Sequence, residues 1–214
     1  MSDDQAPADR PAERRDLRLA LLEAAVASLL ELGFARTTTL EVQRRAGVSR
    51  GALLHHFPSK AELLVATIEH LAWMRGRDLK ERTRSLPAGD ERIDAALDLL
   101  WECFGGPLFQ VTAELTAVAR TEPELGRALI RVEIVVHDRI RRQASELFGP
   151  AITSRPGYDH AFDLTLHLMI GAASTAMLHG APGRARADAL IARWKTHFPM
   201  LLAGTPGREK THEQ

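Results

Sequence analysis

The sequence holds one cysteine, Cys103, among 214 residues. No internal disulfide can form, and a four-cysteine zinc site is excluded. A lone cysteine suits a reducing compartment, so the expected location is cytoplasmic. Aromatic residues make up only 5% of the chain, and the alternating Val, Ile, Thr, Tyr and Phe of strands is missing throughout. Net charge is zero, with 28 basic residues against 28 acidic ones, so attraction to an anionic partner must come from local placement of charge. No apolar run approaches the roughly 20 residues needed to cross a bilayer. The opening MSDDQAPADRPAERRD is polar and acidic, which does not fit a secretory signal. Catalytic signatures such as G-x-S-x-G, H-E-x-x-H or a phosphate-cradling loop are also missing.

What is present favours helix. Ala, Leu and Arg dominate, and the fold expected is all-α. A chain of this length can bury one good core, or join a small domain to a larger one. Residues 1–11 read as a disordered tail. From Asp16 onward, Leu17, Ala20, Leu21, Ala24, Ala25, Leu29 and Leu32 recur on one helical face until Gly33. Thr38 and Glu41 then spell a capping box, in which each side chain satisfies a backbone donor of the other. That short helix turns Val42 and Ala46 inward, and Gly47 closes it in the left-handed conformation. Ser49 caps a third helix that Pro58 ends, and Ser59 caps a fourth that reaches Arg84. Further helices are predicted at 91–104, 107–120, 122–148, 158–179 and 184–203, separated by glycine and proline, with 205–214 a flexible tail.

Two short helices joined by a glycine-containing turn make a helix-turn-helix, whose second helix fits the major groove of DNA. Within AGVSRGALLHHFPSK, Leu53 and Phe57 pin that helix to its neighbours, and Arg50, Gly51, Leu54 and His55 face outward. Gly51 lets the backbone approach closely, while Arg50 can reach a phosphate or grip a guanine edge. Thr38 and Lys60, at helix starts, are placed to hold phosphates. Arg36, Arg44, Arg45, Arg50 and Lys60 concentrate positive charge here, interrupted only by Glu41. The same geometry can also be purely structural.

GFARTTTLEVQRRAGVSRGALLHHFPSKAELL resembles the N-terminal DNA-binding domain of the TetR/AcrR family of bacterial transcriptional repressors, and the match runs without a gap from Asp16 to Leu64. The resemblance implies a three-helix DNA-binding domain over 12–60 and a helical-bundle ligand-binding and dimerisation domain over 61–204. It implies a ligand-responsive repressor, not an enzyme, that binds a palindromic operator as a homodimer and is released by a small-molecule effector. No cofactor is implied. The DNA-facing set would be Thr38, Gln43, Arg44, Ser49, Arg50, Gly51, Leu54, His55, His56 and Lys60. By family position His55 is groove-facing, while His56 is either a phosphate-side contact or a buried hydrogen-bonding residue. Three departures stand out. Leu54 replaces a usual tyrosine and offers only apolar contact, for example to a thymine methyl. Gln43 replaces the usual alanine where helices cross, and Thr39 and Leu40 reverse the usual apolar-then-polar order.

The remaining helices carry weaker signals. Leu166, Ile170, Ala173 and Met177 share one side of a helix, and Leu190, Trp194 and Phe198 recur at four-residue steps. These stripes are read as a dimer seam, the alternative being the monomer core. Trp101, Cys103, Phe104, Phe109 and Thr112 cluster around a glycine-proline break and, with His137 and His167, are candidate effector-pocket residues. His160, Asp163 and His167 share a helical face, but two histidines seven residues apart lie about 10.5 Å from each other along the axis, too far for one ion. Asp163 with His167 and His137 is the remaining metal arrangement, and no metal is assigned. The rival functions are a helical protein-binding adaptor and a small helical enzyme, neither binding DNA.

Overall fold

The computed structural model describes residues 10–204. Among them there are nine helices and no strand: α1 (Arg10–Arg36), α2 (Thr39–Ala46), α3 (Arg50–His56), α4 (Lys60–Thr83), α5 (Glu91–Cys103), α6 (Pro107–Ala119), α7 (Pro123–Phe148), α8 (Pro150–Thr153) and α9 (Tyr158–Leu202). The all-α expectation holds. Helix α1 begins at Arg10 instead of Asp16, and its regular part ends where Gly33 adopts φ 73°. Apart from Arg10 and Pro11, the expected tails 1–11 and 205–214 lie outside the described residues.

The chain divides into two compact units. The first takes the chain up to Arg75 together with Pro107–Asp138, and the second takes Gly76–Gly106 with the chain from Arg139 onward. This division differs from the spans 12–60 and 61–204, because α6 and the first parts of α4 and α7 share a core with α1. Leu29, Leu64, Ile68, Leu108, Leu115 and Leu129 pack in one buried cluster there. Helical periodicity reports which face of a helix is buried but not which distant helix covers it.

A second cluster in the first unit holds the short helices. Leu21, Ala25, Val42, Leu53, Phe57 and Leu63 meet in it. Seven residues are too few for an independent helix in water. Leu53 and Phe57, 1% and 3% exposed, each contribute roughly 1.5–3 kcal/mol on burial, and this tertiary packing keeps α3 helical.

In the second unit, α9 folds back on itself at Gly180, where φ is 62°. The two arms run antiparallel. Gly157 N–H donates to Leu202 O at 3.3 Å, and Trp194 Nε1 donates to Thr165 Oγ1 at 2.9 Å. Phe148 stacks on Phe198 with ring centres 5.3 Å apart and meets Tyr158 edge-on at 5.7 Å. Arg92 closes the C-terminus of α7, donating to Leu147 O at 2.6 Å and Glu146 O at 3.2 Å.

Two expectations about this region change. Helix α9 is long and apolar enough, by length and composition, to cross a bilayer, although no uninterrupted apolar run suggested it. Much of its apolar surface is instead used inside the unit, where Ala161, Phe162, Leu166, Met169 and Ala173 are buried. The expected seam residues Leu166, Ala173 and Phe198 therefore belong to the chain's own core. Trp194 is half-buried against Thr165, whereas Ile170 and Met177 are exposed together with Leu164 and Leu178. Four-residue spacing had merged the inner and outer faces of one helix.

Phe148→Ala should lower the unfolding free energy by about 3–5 kcal/mol through the cavity it leaves, a loss that urea denaturation followed by circular dichroism would measure.

Candidate nucleic-acid interface

The turn from α1 to α2 is tightly bonded. Thr37 Oγ1 donates to Gly33 O at 2.8 Å and lies 2.9 Å from the buried Ser28 hydroxyl. Thr38 then caps α2, its Oγ1 accepting Glu41 N–H at 3.1 Å. The other half of the expected capping box does not form. The Glu41 carboxylate turns along the helix and accepts from Arg44 Nε at 3.0 Å, Arg44 Nη2 at 2.8 Å and Arg45 Nε at 2.6 Å. These charge-assisted bonds outcompete one backbone N–H. They hold the Glu41 carboxyl at about 2, with Arg44 the larger cause and Arg45 the next.

Gly47, at φ 67°, closes α2, and Val48 N–H reaches back to Gln43 O at 3.1 Å. Ser49 Oγ accepts Ala52 N–H at 3.2 Å and starts α3. With Leu53 and Phe57 buried, helix geometry turns Arg50, Gly51, Leu54 and His55 to the surface, all four exposed. Leu54 is 40% exposed and Leu40 68%, so the apolar contact expected at Leu54 is geometrically open.

The charge map is less simple than the row of basic residues suggested. Arg45 is shared between Glu41 and Glu31, the latter at 2.7 Å, and Arg36 Nε caps Leu32 O at 3.2 Å. Arg44 keeps an exposed guanidinium while holding Glu41. Lys60 is half-buried: its Nζ donates to Phe34 O at 3.0 Å and sits 3.8 Å from the centre of the Phe34 ring. Burial lowers its pKa. Its ammonium is thus engaged within the fold, at the end of α1, more than the expected phosphate contact would require.

Two further cations, which the sequence of the short helices does not reveal, stand beside α3. Arg14 Nη2 lies 3.3 Å from His55 Nε2, and the Arg18 guanidinium carbon stands 5.3 Å from the Phe57 ring centre. Both come from α1, and only the folded packing brings them beside α3. His56 is half-buried, and its pKa is lowered first by burial and then by His55, Arg14 and Arg18. Gln43 is also half-buried.

The structure places the candidate pocket residues in different settings. Trp101 is buried, with its Nε1 donating to Asp188 Oδ1 at 2.7 Å and Arg184 over its ring at 4.4 Å. Cys103 Sγ donates to Leu99 O at 3.2 Å. Phe104 and Phe109 are half-buried and His137 is exposed. Thr112 lines a groove of about 400 Å³ formed by α4, α6 and α7, whose other walls include Ile68, Thr116, Ala119, Leu129 and Val132. His167 lines a separate, more open groove between the arms of α9. Asp163 is paired with Arg141, and His167 Nδ1 is 2.8 Å from Asp163 O. Among the described residues no three His, Cys, Asp or Glu side chains gather as metal ligands.

A capped, exposed helix held on a three-helix core, with arginines around it, defines the helix-turn-helix class of DNA-binding regulators. Comparison with known proteins agrees. Residues 21–67 match the family model described as bacterial regulatory proteins, tetR family. An uncharacterized HTH-type transcriptional regulator of Mycobacterium tuberculosis is 31% identical over 134 residues, which is 60% of this chain and 69% of that one. The HTH-type transcriptional regulator CymR of Pseudomonas putida is 37% identical over 111 residues, 52% of this chain and 55% of that protein. The crystal structure of a TetR transcriptional regulator from Rhodococcus sp. RHA1 superposes with a TM-score of 0.59 at 25% identity, covering 87% of this chain and 97% of that one. The chain belongs to the tetR family of bacterial regulatory proteins and is a DNA-binding transcriptional regulator.

Because the folded Glu41 carboxyl titrates at about 2, below the usual 4.5, its ion pairs are complete above the higher value and are lost as pH falls through the lower one. Carboxyl-detected NMR should find this midpoint near 2 in the unaltered protein. Replacing Arg44 and Arg45 together by alanine should return it towards 4.5.

Proposed function

We propose that the protein is a homodimeric repressor that holds a palindromic operator and is released by a small, largely apolar effector. The carrying observation is the outer face of α3, where Arg50, Gly51, Leu54 and His55 stand exposed while Leu53 and Phe57 anchor the helix from behind. In this reading Arg50 addresses a base edge or phosphate, Leu54 a thymine methyl, His55 the groove, and Arg14 beside it the adjacent backbone. Thr38, at the α2 N-terminus, adds a phosphate contact. Arg44, Ser49, Gln43 and Lys60 border the surface, His56 supports α3 from within, and Lys60 acts chiefly by fixing the start of α4.

A palindrome requires two-fold symmetry, with half-sites about 34–36 Å apart or a multiple of that. The exposed apolar residues of α9, with Leu178 81% exposed and Met177 50%, support pairing of two chains through this helix. The groove among α4, α6 and α7 supports an effector site: its walls are mostly apolar, and Thr112 and Thr116 bring hydroxyl groups to it. Release follows as a population shift. The effector favours a conformation in which α4 has swung, so that the two copies of α3 no longer fit successive grooves. The protein would work on DNA in the cytoplasm.

Duplexes selected from a random pool should include a palindrome, and affinity for it should fall steeply with salt. Arg50→Ala should weaken binding about tenfold without changing the sedimentation coefficient. A chain that ignores every duplex at low ionic strength would be an adaptor or an enzyme instead.

A further inference from the structure

Helix α6 reaches the turn ahead of the helix-turn-helix through one carboxylate. Glu114 Oε1 accepts the N–H of Phe34 at 2.6 Å, a bond between residues 80 apart in the chain. The carboxylate sits close over Gly33, where an added Cβ would stand 2.9 Å from the same oxygen. On the other side of residue 34, Lys60 Nζ donates to the carbonyl at 3.0 Å and covers the ring at 3.8 Å. The Phe34 side chain packs against the cluster shared by α4, α6 and α7. One residue is therefore gripped at its N–H by an anion from α6 and at its carbonyl by a cation from α4. Four residues further on, Thr38 caps α2, so the orientation of α2 and α3 depends on where this residue is held.

The opposite side of α6 carries Thr112, Thr116 and Ala119, which line the α4–α6–α7 groove. Glu114 follows Thr112 by two positions, about 200° around a helix, so the groove face and the carboxylate face point in opposite directions. Glu114 is an α6 side chain bonded to the end of α1, so a group in the groove that shifted α6 would pull on that bond.

We infer that Glu114 is a positioning residue: it holds Phe34 so that the helix-turn-helix is set for DNA, and it carries movement of α6 from the groove to that module. This rests on the DNA-binding reading above and adds how binding is regulated.

The test is a double-mutant cycle on the full chain, with Glu114→Ala removing the clasp and Thr116→Trp filling the groove from an exposed position. Operator affinity is read by fluorescence anisotropy, and amide exchange at Phe34 by NMR. Glu114→Ala should speed Phe34 exchange and weaken operator binding about tenfold, within the range typical of coupled sites. Exchange in the Leu21–Leu29 core should not change, and Glu114→Gln, which keeps an acceptor oxygen, should restore both values. Thr116→Trp should weaken binding about tenfold in the unaltered background but less than about twofold in Glu114→Ala. Equal losses in both backgrounds, no loss from Thr116→Trp alone, or unchanged Phe34 exchange in Glu114→Ala would each overturn the inference. Failure of the DNA reading looks different: the unaltered protein itself would bind no duplex, and the regulatory role would fall with it.

Discussion

Burial of Leu53 and Phe57 is the constraint on which the DNA-reading surface depends. Helix α3 has seven residues, and a nucleus that small is unfavourable in water because one hydrogen bond does not offset the backbone entropy lost. The packing of these side chains against Leu21, Ala25, Val42 and Leu63 supplies the difference. Because they are held from inside, the residues between them are presented at fixed angles. The polar outer face is thus a consequence of the apolar inner one.

Around that core, the arginine-rich segment does two jobs. Arg45 and Arg36 are largely spent on Glu41, Glu31 and the Leu32 carbonyl. Arg50 remains at the surface, and Arg14 joins it from α1. The contacts of Arg45 and Arg36 decide which cations face outward. A chain of zero net charge reaches a locally cationic surface in this way, through placement and not through excess.

Much of this was legible in the order of residues. Gly33, Gly47 and Gly180 punctuate the helices at positive φ, and the caps at Thr38 and Ser49 form as their side chains imply. The capping box was only half right, because pattern alone does not reveal that Glu41 has two arginines within reach. The seam and pocket residues show the same limit more sharply. Leu166, Ala173 and Phe198 look alike as exposed or as buried apolar positions, and Trp101 became a core residue once Asp188 supplied a hydrogen-bond acceptor 87 positions away.

The order of amino acids by itself determined the helical class, the breaks between helices and the inner and outer faces of α3. These follow from interactions within a few residues, namely backbone propensity, capping and the 3.6-residue period. Only the tertiary structure decided that α6 packs with the first helices, that Arg14 stands beside His55, and that Glu114 and Lys60 meet at Phe34. Those contacts join residues far apart in the chain. They depend on which apolar faces cover one another, and this is settled by packing the whole core at once.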